Sequence, residues 1–277
     1  MKFSIIIPYY KGSKYISETL ESIFKQSNNH FEIIIIDDSD CDIENKKLEE
    51  ILSKYTSSQC FMYKNISNKG LMKSLNLGIS YCKYENIIIL GQDDLLAENH
   101  IESLSSIIER CFTYTAIFCD AYYLEGDMET NTKVRGVKLN SFGDNLVGFY
   151  SLMKWNYVVS TGICINKKVL EEVGLFDTSY KNHGEWLTWL KLSNIGPFII
   201  NRNTFSKYRK HQSNITNVMF HREFYSTFKY YSYVNFKALM MKENSATSSF
   251  IFINNSIKNI LQLAFKSIQN LKYLWKF

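Results

Sequence analysis

The sequence, 277 residues of which 45% are hydrophobic, holds enough apolar side chains for a large core and excludes a disordered chain. Its net charge of +5, spread among interspersed Lys, Asp and Glu, is too weak for a nucleic-acid-binding surface. Six scattered cysteines without a C-x-x-C pair read as reduced thiols of a cytosolic protein, and no uninterrupted apolar run reaches membrane-spanning length.

Phe3 to Ile7 is a short β-rich run closed by Pro8-Tyr9-Tyr10-Lys11-Gly12, a loop with one φ-locked and one permissive residue. Ser13 can cap a helix reaching Gln26, in which Tyr15, Ile16, Leu20, Ile23 and Phe24 recur at helical spacing. Phe31 to Ile36 reads as a second strand, ending in Asp37 and Asp38. A helix over Ile43 to Tyr55, a strand over Cys60 to Lys64, and a helix running from Asn68-Lys69-Gly70 to Tyr81 follow.

The fourth strand organises the rest: Ile87-Ile88-Ile89-Leu90 runs into Gly91-Gln92-Asp93-Asp94. Such consecutive aliphatics fit a strand covered on both faces, as in parallel sheets flanked by helices. In those sheets ligands bind beyond the carboxyl ends of the strands. Two adjacent carboxylates placed there repel each other unless a cation or a hydrogen-bond donor compensates, and a hard divalent ion bound to phosphate oxygens is a natural partner. The β-α alternation predicts a doubly wound α/β sheet, whose right-handed crossovers bring the loops of Tyr9, Asp38 and Asp93 to one edge.

Farther on, the spacing predicts a helix over Glu98 to Arg110 and a strand over Ala116 to Cys119. An irregular or hairpin insertion over Glu125 to Asn145 precedes a strand over Val158 to Ile165. Helices over Lys167 to Val173 and Gly184 to Ser193 then precede strands over Phe198 to Ile200 and Thr204 to Tyr208. The remainder, from Asn217, is aromatic and helical. On a wheel at about 100° per residue, Ile257, Ile260, Leu261, Ala264, Ile268, Leu271 and Trp275 share roughly a third of the circumference. Lys258, Lys272 and Lys276 lie to another side, and no acidic residue follows Glu243. A basic amphipathic helix over 256–277 suits an anionic membrane surface; docking on the protein's own core or on another subunit gives the same stripe.

Four segments together resemble family-2 glycosyltransferases of the GT-A fold. They are Ser4-Ile5-Ile6-Ile7-Pro8-Tyr9-Tyr10; Asp37-Asp38-Ser39; Asn68-Lys69-Gly70 with Asn76-Leu77-Gly78; and Gln92-Asp93-Asp94, in that order. The resemblance implies a Rossmann-like, three-layer α/β/α nucleotide-sugar-binding domain over residues 1–215, with a helical, aromatic and basic extension over 216–277.

It also implies roles. The first loop and the acid after the second strand would hold the nucleotide base and ribose: Pro8, Tyr9 and Tyr10 as a firm loop with an aromatic face, Asp38 as acceptor for a uracil imide or ribose hydroxyl. Asp37 can equally cap the following turn. The family's D-x-D element places carboxylates on metal and ribose, and here Gly91 stands where its first acid is usual. By position Asp93 falls to the ribose or metal, and Asp94 to the Mn2+ or Mg2+ that bridges the diphosphate; a plain helix cap is the alternative for Asp94.

In His183-Gly184-Glu185-Trp186-Leu187-Thr188-Trp189, Glu185 matches the second acid of the family's acidic pair and Gly184 occupies the first. An acid at a helix start beside aromatic residues is partly desolvated, which strengthens it as a base; a solvent-facing first-turn Glu favoured by the helix dipole is the alternative. Tyr208-Arg209-Lys210-His211 resembles the family's aromatic-Arg-x-His segment. His211 would then complete the metal sphere or meet the diphosphate, and Arg209 would offset its charge. Lys69 and Lys73 are phosphate candidates or exposed helix surface.

The implied activity is an inverting, metal-dependent transfer of a hexose or N-acetylhexosamine from a nucleotide-diphosphate sugar, UDP above all. The acceptor would be a glycan or lipid-linked oligosaccharide of bacterial surface polysaccharide, lipopolysaccharide O-antigen or capsule. The implied location is cytoplasmic, or peripheral on the cytoplasmic face of the inner membrane through 256–277. Two other readings compete. A sugar-nucleotide nucleotidyltransferase would carry a Gly-rich basic loop after the first strand, of which Pro8-Tyr9-Tyr10-Lys11-Gly12 is a poor version. A non-catalytic nucleotide-sugar-binding protein would bind donor without turnover.

Overall fold

A computed structural model describes residues 1–55, 59–111, 113–126, 128–134, 145–180, 184–214, 224–241 and 249–258. Strands β1 (Phe3–Tyr9), β2 (Phe31–Asp37), β3 (Cys60–Lys64) and β4 (Asn86–Ile89) pair in parallel in the order β3-β2-β1-β4. Between them run α1 (Ile16–Phe24), α2 (Asp42–Leu52) and α3 (Leu71–Tyr81). The isoleucine runs are buried throughout because successive residues face opposite sides of the sheet and both sides are covered. Ile5, Ile7, Ile33, Ile35 and Ile88 meet α1, α2 and α4 (His100–Arg110) on one face. Ile6, Ile34, Ile36, Ile87 and Ile89 meet α3 and α7 (Glu185–Ile195) on the other. The result is a three-layer α/β/α sandwich.

Past β4 the sheet becomes mixed. β9 (Ile163–Asn166) lies antiparallel between β4 and β6 (Ala116–Glu125), and β10 (Phe198–Lys210) runs parallel to β6. β5 (Leu95–Leu96) closes the edge antiparallel to β10, β7 (Met128–Val134) pairs with β6, and β8 (Leu146–Val147) pairs with β10. Two short helices, α5 (Phe149–Lys154) and α6 (Lys167–Glu172), follow β8 and β9. The helix α8 (Phe224–Met241) packs on α7: Leu187 N donates to Tyr230 Oη at 3.2 Å, and Tyr230, Val234 and Ala238 join the core.

Several elements differ from the sequence reading. Ser13 caps no helix; α1 starts at Ile16 and the Ser13 hydroxyl donates to Glu44. The strand expected from Val158 begins only at Ile163, because Gly162 turns the chain at φ 78°. The two strands expected between 198 and 208 are one, interrupted by a bulge between Asn201 and Phe205 that bends it without ending its pairing to β6. The insertion is a β6–β7 hairpin as far as Val134, and 135–144 lie outside the described residues. Of the amphipathic segment 256–277, residues 259–277 also lie outside them. Among the described residues no helix is long and apolar enough to cross a membrane.

Candidate active site

The carboxyl ends of β1, β2 and β4 form one edge, tied together by main-chain contacts. Asp38 N donates to Tyr9 O at 2.8 Å, and Leu90 N donates to Ile6 O at 3.0 Å. Pro8, with its φ locked, stays in register opposite Ile36, and Tyr9, opposite Asp37, is the last strand residue. Because Tyr9 is still in register, its ring points into the core, 1% exposed, and its hydroxyl donates to Glu44 at 3.2 Å. Burial and the Glu44 charge hold that phenol well above its ordinary pKa. The aromatic face assigned to Tyr9 is therefore spent on packing. Tyr10, 49% exposed, is the aromatic residue this loop presents, with Lys11 Nζ 5.3 Å from its ring centre.

Asp38 is buried and pre-positioned. Its Oδ1 accepts from Lys69 N at 2.7 Å and Asn65 Nδ2 at 2.8 Å, and its Oδ2 accepts from Gly70 N at 2.8 Å. Main-chain N–H groups at the start of α3 thus fix the carboxylate. Lys69 contributes its main-chain nitrogen, while its side chain is exposed. Asp37 spends Oδ1 on Ser39 N at 2.9 Å, the turn-capping alternative.

The acidic pair divides its labour differently from the expectation. Asp94 is 3% exposed; Thr161 Oγ1 donates to its Oδ2 at 2.5 Å and Arg209 N to its Oδ1 at 3.0 Å. Burial first, then the neighbouring Asp93 charge, push its pKa above the usual carboxylate range, against the two hydrogen bonds and Arg209. A carboxylate with both oxygens engaged and little contact with solvent is a poor first ligand for an exchangeable ion, so the metal assignment of Asp94 gives way to a structural one. Asp93 faces the other way. Its Oδ2 lies 2.7 Å from His211 Nε2 and accepts from Asn214 Nδ2 at 3.4 Å. His211 also stacks on Tyr15, with ring centres 4.9 Å apart.

Gly91 explains the missing first acid. A Cβ there would lie 2.7 Å from Asp94 Oδ2 and 3.1 Å from Asp93 Oδ1, so no side chain fits without moving the pair. Gln92 holds the neighbouring loop instead: its Oε1 accepts from Tyr10 N at 2.8 Å and its Nε2 donates to Tyr10 O at 3.1 Å. Nothing local in the sequence marks Gln92 for this role.

Arg209 is 2% exposed. Its Nε donates to Asp93 O and its Nη1 to Gly126 O, both at 3.0 Å, and its Nη2 to Glu18 Oε2 at 2.5 Å. The guanidinium fork, with its fixed set of donors, is here the rivet of the site wall. These bonds give the guanidinium a scaffolding task beside the one expected of it. Nothing in the sequence distinguished Glu18, Tyr15 or Thr161 from ordinary helix and strand residues.

Glu185 is the first residue of α7 and half-buried. Gly184 before it has no room for the family's first acid: a Cβ would sit 2.2 Å from Asp177 O and 2.6 Å from Met72 Sδ. Met72 belongs to the first turn of α3, whose preceding N–H groups hold Asp38, so this packing sets the α7 N-terminus beside that of α3. Trp186 and Trp189 are core residues; Trp186 Nε1 donates to Leu152 O at 2.8 Å. A surface concavity of about 510 Å3 lies at the opposite sheet edge against Lys2, Tyr84, Asn86 and Tyr114, away from these acids.

The family model for glycosyl transferase family 2 matches residues 4–174. The chain belongs to that family. Family-2 relatives include an uncharacterized glycosyltransferase of Rickettsia typhi, 27% identical over 225 residues that span 77% of this chain and 65% of the relative. A Rickettsia felis relative is 25% identical over 75% of this chain and 34% of its own length. The chain thus spans about two thirds, or about one third, of the relatives it matches. Among solved structures, Staphylococcus aureus TarS 1–349 in complex with UDP-GlcNAc aligns with TM-score 0.71 at 18% identity, over 93% of this chain and 73% of that one. GalNAc-T7 with UDP, GalNAc and Mn2+ aligns with TM-score 0.61 at 16% identity, over 92% and 54%. These likenesses place the family-2 chain in the GT-A fold.

Among the described residues no group of three or more His, Cys, Asp or Glu side chains could hold a metal. At the Gly91–Asp94 turn the donors are one carboxylate, Asp93, and one imidazole, His211, in contact with each other. A carboxylate and an imidazole are side chains of the chemical type that would hold a divalent cation.

Proposed function

We propose that this chain transfers a hexose or N-acetylhexosamine from a nucleotide-diphosphate sugar, UDP in the first instance, to a glycan or lipid-linked oligosaccharide acceptor with inversion at the anomeric carbon. The observation that carries the reading is the Asp93–His211 pair, set between the Tyr10 loop and the Gly91–Asp94 turn, with Asp38 fixed at the same sheet edge. Tyr10 offers its ring to the base. Asp38, with a lone pair of Oδ2 still available, accepts from the base or ribose. Asp93 and His211 would hold the divalent ion, which when bound offsets the charge developing on the leaving diphosphate.

Glu185 is the general base. It takes the proton of the acceptor hydroxyl at its carboxylate as that oxygen attacks from the face opposite the nucleotide, and it ends protonated. Asp94, Arg209 and Gln92 touch no reactant; they keep the Asp93 turn and the Tyr10 loop in register. The acceptor in this proposal is bacterial surface polysaccharide, lipopolysaccharide O-antigen or capsule.

The test is a thermal-shift panel of nucleoside diphosphates and nucleotide sugars, with and without Mn2+, on wild type and Asp93→Asn. A ligand that binds only the native state raises Tm by mass action. A Mn2+-dependent shift with one UDP-sugar that is lost in Asp93→Asn supports the reading. No shift with any nucleotide sinks it, and a shift without transfer to any acceptor leaves the non-catalytic binder.

A further inference from the structure

The bulge in β10 builds a small hollow on the mixed half of the sheet. Asn201 Oδ1 accepts from Ser103 Oγ at 3.0 Å and from Asn203 N at 3.1 Å. Asn99 Nδ2 donates to Asn203 O, and Thr204 Oγ1 donates to Asn99 Oδ1, both at 3.0 Å. The start of α4 thus pins the bulge, a feature that re-aims side chains where it occurs. Arg202, Asn203, Thr204 and Phe205 line one side of a concavity of about 150 Å3, and Asp120 and Tyr122 of β6 line the other. Beside it Asn201, 1% exposed, keeps its Nδ2 without a hydrogen-bond partner among the described residues.

The lining combines rings with balanced charge. Tyr122 and Phe205 meet edge to face, ring centres 5.7 Å apart, and Phe205 is 37% exposed. The lysines over these rings are already answered: Lys133 Nζ lies 2.5 Å from Asp120 Oδ2, and Lys207 pairs with Glu129. Arg202 is exposed; its Nε donates to Asn145 Oδ1 at 2.8 Å, and the guanidinium has further donors on Nη1 and Nη2. An anion here would meet the Asp120 carboxylate beside the arginine, and a wholly polar ligand would leave the rings unused. A neutral sugar suits both: its C–H face lies on an aromatic ring, while its hydroxyls donate to Asp120 and accept from Arg202 and Asn203.

The hollow also lies in line with the acidic edge. From Phe205 onward the register of β10 to β6 is unbroken, so Phe205, Lys207 and Arg209 share one face of the strand. Four residues at about 3.3 Å each put Arg209, which donates to Asp93 O, roughly 13 Å farther along. A glycan reacting at that edge can reach the hollow with a unit farther back in its chain. We propose that the hollow between Tyr122, Phe205, Asp120 and Arg202 binds a neutral sugar unit of the acceptor glycan, set back from the unit that receives the transferred sugar. That it serves an acceptor rests on the function proposed above; that it binds a sugar does not.

The test is saturation-transfer NMR of the full chain, without nucleotide or metal, against maltotriose, chitotriose and galactotriose, with glucose and glucose 6-phosphate as a neutral and an anionic probe. At least one trisaccharide binds wild type, and Phe205→Ala and Arg202→Ala each weaken that binding by about tenfold or more. Arg202 is exposed, so its variant keeps the wild-type Tm and decides even where Phe205→Ala costs stability. No trisaccharide binding to wild type overturns the proposal, as does full binding by either variant. Tighter binding of glucose 6-phosphate than of glucose overturns it in favour of an anion site. The nucleotide panel is read separately: sugar binding without any nucleotide shift removes the transfer function and leaves the hollow, and a nucleotide shift without sugar binding does the reverse.

Discussion

Nε2 of His211 lies 2.7 Å from Oδ2 of Asp93, although 118 residues separate the two in the chain. Asp94, adjacent in sequence, turns inward to Thr161 and Arg209. The two carboxylates should therefore respond oppositely to amidation. Asp93→Asn removes Mn2+-dependent donor binding, and His211→Gln weakens it by roughly tenfold or more, a loss of ~1.4 kcal/mol. Asp94 has a folded pKa raised above its unfolded value, so its contribution is fully present at acid pH and is lost as pH rises from about 4 toward 8. Asp94→Asn removes that charge while still accepting from Arg209 N. In the chelated protein at pH 8 its Tm is expected to match or exceed wild type, with the gap closing on acidification. A marked Tm loss at pH 8 would overturn this assignment.

Gln92 clasps Tyr10 at both its N–H and its C=O, beside Lys11 held at φ 51°. Removing the clasp leaves a strained loop free to relax. Gln92→Ala should forfeit two hydrogen bonds worth about 1–3 kcal/mol together. That loss should surface chiefly as a higher donor KM with kcat changed less. Gln92→Glu does not rescue it, because a carboxylate cannot donate to Tyr10 O. Steady-state kinetics of both variants decide; a kcat effect without a KM effect would contradict the positioning role.

Glu185→Gln keeps the size of the side chain and removes the base. Transfer should fall by about 10²–10⁴-fold, while the donor-dependent Tm shift is retained. Turnover near wild type would remove Glu185 from the mechanism.

His100 is buried, 1% exposed, with Nε2 2.9 Å from Gly162 O, and burial lowers its pKa from 6.5 to about 4. The neutral ring donates to that carbonyl. A depressed folded value means the stability is present above pH 6.5 and is lost as pH falls toward 4, by at most roughly 3 kcal/mol. Wild-type Tm should drop across that window, and His100→Gln, which can still donate but cannot titrate there, should flatten the drop.

The parallel half of the sheet could be read from sequence because each isoleucine run is uniformly apolar and each ends in a turn residue or an acid. The site was legible down to its motifs, and less so at the level of atoms. Side-chain alternation assigns faces only inside a strand, and β4 stops at Ile89; beyond it, which of Asp93 and Asp94 faces outward depends on a turn. Tyr9 departs from its expected place for the converse reason, since β1 runs longer than its aliphatic core and keeps the ring in register. The phosphate role of Arg209 follows from the likeness of Tyr208-Arg209-Lys210-His211 to the family's aromatic-Arg-x-His segment, which says nothing of the arginine's own partners. Its partners Glu18 and Gly126 carried no local signal, being brought to it only by the closed fold.

That guanidinium has a consequence for how the molecule comes into being. It joins residues 18, 93, 126 and 209, and its bond to Glu18 spans 191 positions. Contacts this distant in the chain bear the largest loop-closure entropy and depend on everything between them being in place. The half of the chain that carries the Tyr10 loop, Asp38 and Asp93 still lacks this rivet, so synthesis must run past Arg209 before the pocket wall can lock.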